Sequence, residues 1–192
     1  MKTTIFIDMD GVLAKWNTEA SVEETYEPGY FLRRTPEAGL VDIVNKLLSE
    51  GKQVVILSAV YGQEQANDKL VWLRRIFDKW DVINPIDSIL GYYNDDSLKT
   101  IFCPYGGSKR DYVINHAANL LGDKNILIDD FSKNLREWTG DSTVAQEFYG
   151  IKFINGINDT HKSWKGPRLY ADDTFMTMYF ALKGFTEMFQ VA

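Results

Sequence analysis

Cysteine and histidine are scarce in this sequence: Cys103 stands alone, and His116 and His161 are the two histidines. A single cysteine excludes an internal disulfide and a cysteine-based zinc site. Because histidine and cysteine do not cluster, nothing points to a soft metal ion, and any metal would be held by oxygen ligands. Cys103, next to Pro104, is expected to be a packed residue and not a nucleophile.

Long apolar runs and an excess of positive charge are also missing. No segment approaches the roughly 20 apolar residues that span a bilayer, and the amino terminus lacks the apolar stretch of a secretory signal. The 21 basic residues are outnumbered by 27 acidic ones, which gives a net charge of −6. We therefore expect a cytoplasmic protein without membrane contact, and the acidic balance does not favour a nucleic-acid polymer as partner.

Strand-like and helical patterns alternate along the 192 residues, of which 45% are hydrophobic. The alternation predicts an α/β fold, a three-layer Rossmann-like parallel sheet with helices on both faces. Residues 15–35 mix aromatic and acidic side chains and predict a small helical cap inserted after the first strand of a single domain, 1–192. The predicted strands are 3–7, 53–57, 88–92, 125–128 and 151–154, and the predicted helices are 36–50, 63–80, 108–121, 131–138 and 172–189.

Polar residues follow three of the predicted strands: Asp8, Ser58 and Asp129. Ligands of parallel sheets bind beyond the carboxyl ends of the strands, so these side chains are expected to meet at one edge. Asp10 follows two residues after Asp8, and Asp130 follows Asp129. Carboxylates this close repel one another unless a cation joins them. Hard oxygen ligands with open positions favour Mg²⁺.

Two groups suited to phosphate oxygens accompany these acids. Ser58 offers a hydroxyl at a strand end, and Lys109 brings an ammonium to the start of a helix whose N-cap is predicted to be Ser108. Helix N-termini and charged donors both favour anions. Each of these residues alone has a plainer interpretation, since Ser58 could cap a strand end and Lys109 could be a solvated helix charge.

The residues together resemble the motifs of the haloacid dehalogenase-like superfamily. Asp8-Met9-Asp10-Gly11-Val12-Leu13 is similar to its first motif, and Ser58, after Val54-Val55-Ile56-Leu57, resembles its second. Lys109 resembles the third motif, and Asp129-Asp130 the fourth. All four occur in the family's order across most of the chain.

The resemblance implies a Mg²⁺-dependent phosphatase. Asp8 would attack phosphorus and form an aspartyl-phosphate, while Asp10 would protonate the leaving oxygen and later activate water. The metal ligands would be Asp8, the backbone carbonyl of Asp10 and Asp129, and Asp130 would lie behind the metal. Phosphate oxygens would be held by Gly11, Ser58, Ala59 and Lys109.

Within the superfamily the chain looks like the 5′(3′)-deoxyribonucleotidase group, because of its DMDGVLA opening and the small insertion that follows it. The substrate would be a (deoxy)nucleoside monophosphate, with Trp16, Tyr30 and Phe31 contacting the base. Those aromatic residues could instead form only the core of the cap, and Asp130 could cap the following helix.

Three functions remain open at this stage: a nucleotidase, a phosphatase acting on a sugar phosphate or another small phosphorylated metabolite, and a non-catalytic nucleotide- or metal-binding module. A homodimer is also left open.

Overall fold

A six-stranded parallel sheet is the centre of the molecule, with strand order β3-β2-β1-β4-β5-β6. The computed structural model describes residues 2–21, 23–77, 98–140, 146–158 and 163–188. Five α-helices lie within these residues, and none of them has the length and apolar character needed to cross a membrane. The strands are β1 (Thr3–Ile7), β2 (Gln53–Val60), β3 (Lys99–Pro104), β4 (Lys124–Asp129), β5 (Glu147–Ile154) and β6 (Arg168–Tyr170). The helices are α1 (Ala38–Ser49), α2 (Gln63–Ile76), α3 (Lys109–His116), α4 (Ser132–Thr139) and α5 (Phe175–Met188).

Helices cover both faces of the sheet because successive strand residues point to opposite sides. Ile5 and Ile7 of β1 pack in one apolar cluster with residues of α1, α2 and α5. Phe6, between them in sequence, packs in a second cluster with Val113 of α3 and Trp138 of α4. The predicted three-layer α/β architecture is therefore confirmed.

β1 lies between β2 and β4, and this position determines which strand ends are neighbours. Ile7 pairs with Ile56 of β2 on one side and with Ile128 of β4 on the other. The backbone N–H of Asp8 donates to the carbonyl of Ile128 at 2.9 Å. Asp8 and Asp129, each one residue beyond this level, consequently leave adjacent strands at the same edge of the sheet.

Two strands were missed by the sequence prediction and two are longer than predicted. β2 continues to Val60, so Ser58 lies within it and not beyond its end, and β5 already begins at Glu147. β3, at Lys99–Pro104, was missed, although its run Thr100-Ile101-Phe102-Cys103 is β-branched and apolar. The predicted strand 88–92 lies outside the described residues. β6 is three residues long and was also missed, because a strand so short carries almost no periodic signal.

Helix α1 begins at Ala38, two residues later than Pro36 predicted. Pro36 pairs instead with Ala14 in an isolated antiparallel bridge, and the N–H of Glu37 donates to the carbonyl of Leu13 at 2.7 Å. These contacts hold the chain extended before the helix. Gly51 follows the end of α1 with φ of 69°, the left-handed conformation typical of a helix C-terminus.

The segment between β1 and α1 rests against α2. It contains two 3₁₀ helices, Glu23–Tyr26 and Phe31–Arg33. The indole N–H of Trp72 donates to the carbonyl of Arg34 at 2.7 Å, and the N–H of Gly29 donates to the carboxylate of Asp68 at 2.6 Å. Because Trp72 and Asp68 both belong to α2, this helix supports the predicted cap segment. The assignment of residues 1–192 to one domain with a cap stays a prediction.

Candidate active site

An ammonium group links the ends of β1 and β4. Lys109 Nζ lies 2.8 Å from Asp8 Oδ1 and 2.7 Å from Asp129 Oδ2. The contact with Asp8 is an ion pair without hydrogen-bond geometry, whereas Asp129 accepts a hydrogen bond. Burial by itself would lower the pKa of Lys109, but Asp129 and Asp8 outweigh it and raise the pKa. Lys109 therefore stays protonated between the two carboxylates.

Lys109 is the first residue of α3, and Ser108 caps that helix. The Ser108 hydroxyl accepts a hydrogen bond from the N–H of Asp111 at 3.2 Å, as the sequence predicted. The cap determines where the first turn of α3 begins. It thereby positions Lys109 over the strand ends.

Three carboxylates form a cluster at this edge of the sheet. Oxygen atoms of Asp8, Asp129 and Asp130 all lie within 4.8 Å of one another. Burial raises the pKa of Asp129 to about 6 against the lowering effect of Lys109. Burial and the charge of Asp129 raise the pKa of Asp130 well above its usual range. Burial thus disfavours the ionised form of Asp129 and Asp130. If all three carboxylates were ionised, they would exceed the one ammonium by two negative charges, an excess that a divalent cation would balance.

The donor set fits such a cation. All three side chains offer hard oxygen ligands, as Mg²⁺ prefers. The carboxylate of Asp10 is not part of the cluster in the described residues. This leaves the Asp10 backbone carbonyl as the predicted ligand.

Asn155, after β5, holds two parts of the site together and was missed by the sequence reasoning. Its Nδ2 donates to the carbonyl of Gly11 and to Oδ2 of Asp130, both at 2.9 Å. Asn158 Nδ2 donates to the Asp130 carbonyl at 3.0 Å. A signal for this exists in the sequence, because Asn155 and Asn158 lie on either side of Gly156, directly after a predicted strand.

Asp130 does not cap α4, which was one of its two interpretations. The N–H of Phe131 donates to Asp129 Oδ1 at 2.8 Å, and no side chain caps the first turn. Asn134 Nδ2 donates to Asp129 Oδ2 at 3.0 Å. The Asp129 carboxylate is thus fixed by the first turn of α4 as well as by Lys109.

A second buried lysine, Lys69 of α2, pairs with Asp10 and was not identified from the sequence. Its Nζ donates to Asp10 Oδ2 at 2.6 Å, to Ser58 Oγ at 2.9 Å and to the Ala59 carbonyl at 2.7 Å. Burial raises the pKa of Asp10, Lys69 opposes this shift, and the Asp8 charge adds to it.

A signal for Lys69 exists in the sequence. Helical spacing puts it on the same face as Ala66, Leu70 and Leu73, all of which are buried. A lysine on an apolar helical stripe is expected to find a buried acidic partner, because an unpaired buried charge is strongly destabilising.

A cavity of about 430 Å³ opens above the carboxylates. Asp8, Asp10, Ala59, Lys109 and Asp130 line it, whereas the neighbouring residues Gly11, Ser58 and Asp129 are not among its lining residues. The predicted substrate residues all line it as well, together with aromatic and cationic residues that the sequence reasoning did not single out. These lining residues are Trp16, Tyr30, Phe31, Arg34, Tyr61 and Tyr105.

Cys103 is buried under the site, as predicted, and does not line the cavity. Burial raises the pKa of its thiol to about 11. The thiol is therefore protonated at neutral pH, which is typical of a packed cysteine and not of a nucleophile.

Comparison with known proteins supports the fold. No protein-family model matches the chain, and no curated protein matches it with significance. Among solved structures, the chain is similar to D,D-heptose 1,7-bisphosphate phosphatase from Burkholderia thailandensis, with a TM-score of 0.55 and 14% identity over 96% of this chain and 99% of that one. It also matches the DsGPDH of Dunaliella salina, with a TM-score of 0.45 and 14% identity over 78% of this chain and 23% of that one.

The first of these likenesses shows a shared fold. It agrees with the three-layer α/β fold that the sequence predicted. Membership of the haloacid dehalogenase-like superfamily and of its deoxyribonucleotidase group stays a prediction.

Gly11→Ala tests how tightly the first motif is packed. Gly11 has φ of 73°, and a Cβ there would collide with the Asp130 carboxylate, 2.8 Å from its Cγ. Gly51 has φ of 69° but no atom within 4 Å of such a Cβ. We expect Gly51→Ala to lower the free energy of unfolding by about 1 kcal/mol and Gly11→Ala by about 3 kcal/mol, because overpacking adds to strain. Urea unfolding measures both, and equal losses would contradict the packing described.

Proposed function

We propose that this chain is a Mg²⁺-dependent phosphomonoesterase acting on nucleoside monophosphates through an aspartyl-phosphate at Asp8. The observation that carries the proposal is the charge arrangement under the cavity. The carboxylates of Asp8, Asp129 and Asp130, when ionised, would exceed the ammonium of Lys109 by two negative charges. A cation and a phosphoryl group bound together would complete this arrangement.

In the first step, a carboxylate oxygen of Asp8 attacks phosphorus and forms an acyl-phosphate bond. The bond between phosphorus and the leaving oxygen breaks, and the proton of the Asp10 carboxyl moves to that oxygen. Burial raises the pKa of Asp10, which favours a carboxyl that carries this proton. Asp10 lines the cavity beside Asp8, so it can reach a leaving group there.

In the second step, water attacks phosphorus while the Asp10 carboxylate takes a proton from it. The bond to Asp8 breaks, and inorganic phosphate leaves. Lys109, Ser58 and the backbone at Gly11 and Ala59 would hold the phosphate oxygens throughout. Mg²⁺, held by Asp8, Asp129 and the Asp10 carbonyl with Asp130 behind it, would neutralise charge on the transferring phosphoryl group.

Aromatic side chains around the cavity support a substrate with a flat ring. Trp16, Tyr30 and Phe31 all line the cavity, and Trp16 is 47% exposed while the other two are mostly buried. Stacking on such side chains binds nucleobases at about 1–3 kcal/mol per base, with little dependence on which base it is. A nucleoside monophosphate would place its base against these rings and its phosphate over Asp8.

A sugar phosphate is the second candidate. The similar fold of a heptose bisphosphate phosphatase favours it, although a shared fold does not determine the substrate.

The nucleophile is tested by Asp8→Asn. Loss of the attacking carboxylate is expected to lower phosphate release from dUMP or dTMP with Mg²⁺ by at least about 10³-fold. Asp123→Asn is the matched control, since Asp123 is exposed and contacts the N–H of Lys2 at the other end of the sheet. Wild-type turnover in Asp8→Asn would overturn the mechanism. Absence of turnover in the wild-type chain would favour a non-catalytic binding module.

Metal binding is tested without turnover. Mg²⁺ at a hundredfold excess over its dissociation constant is expected to stabilise the chain by about 2.7 kcal/mol, raising the thermal midpoint by roughly 5–10 °C. Asp129→Asn should abolish this increase, while Asp10→Asn, which keeps its backbone carbonyl, should retain it. An equal increase in Asp129→Asn and the wild type would exclude the proposed ligand set.

Substrate choice is tested by comparing kcat/KM for nucleoside monophosphates with kcat/KM for sugar phosphates. We expect the nucleotides to be favoured at least tenfold, and Trp16→Ala to reduce that preference by raising KM for nucleotides about tenfold. Sugar phosphates should be unaffected by Trp16→Ala. A preference for sugar phosphates in the wild-type chain would reject the nucleotidase assignment and retain the phosphatase.

A further inference from the structure

We propose that Lys69 is a positioning residue, which holds the Asp10 carboxyl in the orientation from which it protonates the leaving group. The inference rests on the proposed function, because it assigns Asp10 the role of general acid. It adds a residue that lies outside all four sequence motifs and on a different helix from Lys109.

Lys69 is fully buried, with 0% of its surface exposed. An ammonium group has three N–H donors and no acceptor. The three contacts with Asp10, Ser58 and the Ala59 carbonyl, at 2.6, 2.9 and 2.7 Å, use all three donors. Because no donor is left over, Lys69 cannot bind the substrate itself and must act through the groups it holds.

The ring of Phe31 covers the ammonium. Lys69 Nζ lies 4.4 Å from the centre of this ring, within the range of a cation–π interaction. Phe31 also lines the cavity, so this residue both contacts the Lys69 ammonium and borders the substrate space. Lys69 is therefore held in a buried position next to the cavity.

Asp10 is held through one oxygen and presents the rest of its carboxyl to the cavity. Oδ2 accepts from Lys69, while the side chain keeps 26% of its surface exposed. A general acid acts only within hydrogen-bond reach of the leaving oxygen. Fixing Oδ2 leaves Oδ1 as the oxygen that can exchange a proton with the leaving group.

Ser58 is oriented by the same contact. Its Oγ accepts a hydrogen bond from Lys69 at 2.9 Å. A hydroxyl that accepts in this way keeps its own proton for donation. The one ammonium thus orients both the proposed general acid and a proposed phosphate ligand.

The dependence of kcat/KM on the leaving group distinguishes a positioning role of Lys69 from a purely structural one. The p-nitrophenolate leaving group needs little protonation, whereas the alkoxide that leaves from dUMP needs a proton in the transition state. For Lys69→Met we expect kcat/KM to fall about 100-fold with dUMP, the size of a lost general acid, and less than about fivefold with p-nitrophenyl phosphate. Parallel losses on both substrates would overturn the inference.

Lys152→Met is the matched control. Lys152 is also buried, but its Nζ contacts Ser132 and the Asn158 carbonyl and not Asp10. Its loss should change kcat/KM for the two substrates by the same factor. If Lys69→Met does not fold, Lys69→Gln serves in its place. Gln is shorter and has two N–H donors instead of three, so a smaller loss is expected, again larger with dUMP than with p-nitrophenyl phosphate.

Asp10→Asn, assayed on the same two substrates, distinguishes failure of the inference from failure of the proposed function. A selective loss with dUMP in Asp10→Asn, together with parallel losses in Lys69→Met, would reject only the role of Lys69. Parallel losses in Asp10→Asn would reject Asp10 as general acid, and the inference with it.

Discussion

The ammonium of Lys109 between two buried carboxylates is the interaction on which the site depends. Asp8 and Asp129 leave neighbouring strands at the same level, so the sheet itself forces two negative charges together. At such separations in a poorly hydrated environment their repulsion is large. Lys109, fixed at the start of α3, relieves it from one side. The third carboxylate, Asp130, lies in the same cluster and, when ionised, would add to the negative charge that a cation could balance.

Strand ends determine the part of the site that the sequence pattern alone predicts, whereas Lys109 is predicted from its place at a helix start and from the motif resemblance. Asp8, Ser58 and Asp129 each follow an apolar run, and a parallel sheet brings such positions together whatever the details of helix packing. Lys69 and Asn155 could not be placed in this way. The contact of Lys69 with Asp10 depends on how α2 crosses the sheet, and that of Asn155 with Gly11 depends on the turn after β5.

The other differences between prediction and structure involve pairing between distant segments. The run from Thr100 to Cys103 has the composition of a strand, and its place in the sheet is determined by pairing with β2, where Leu57 aligns with Ile101. The predicted strand 88–92 lies outside the described residues. Pro36 has the properties of a helix start, yet its pairing with Ala14 keeps it outside α1. At Pro36, local preference therefore yields to a contact made by a distant segment.

Helix α2 contacts both the segment between β1 and α1 and the Asp10 side chain. Asp68 and Trp72 anchor the segment between β1 and α1, while Lys69, between them, contacts Asp10. Phe31 joins the two, since it belongs to that segment and covers the Lys69 ammonium. Evolutionary changes in specificity through this segment are therefore constrained by chemistry. A lineage that remodels the segment for a new metabolite must preserve the contact between Lys69 and Asp10, the proposed general acid, so mutations there are expected to arise in compensating pairs with α2.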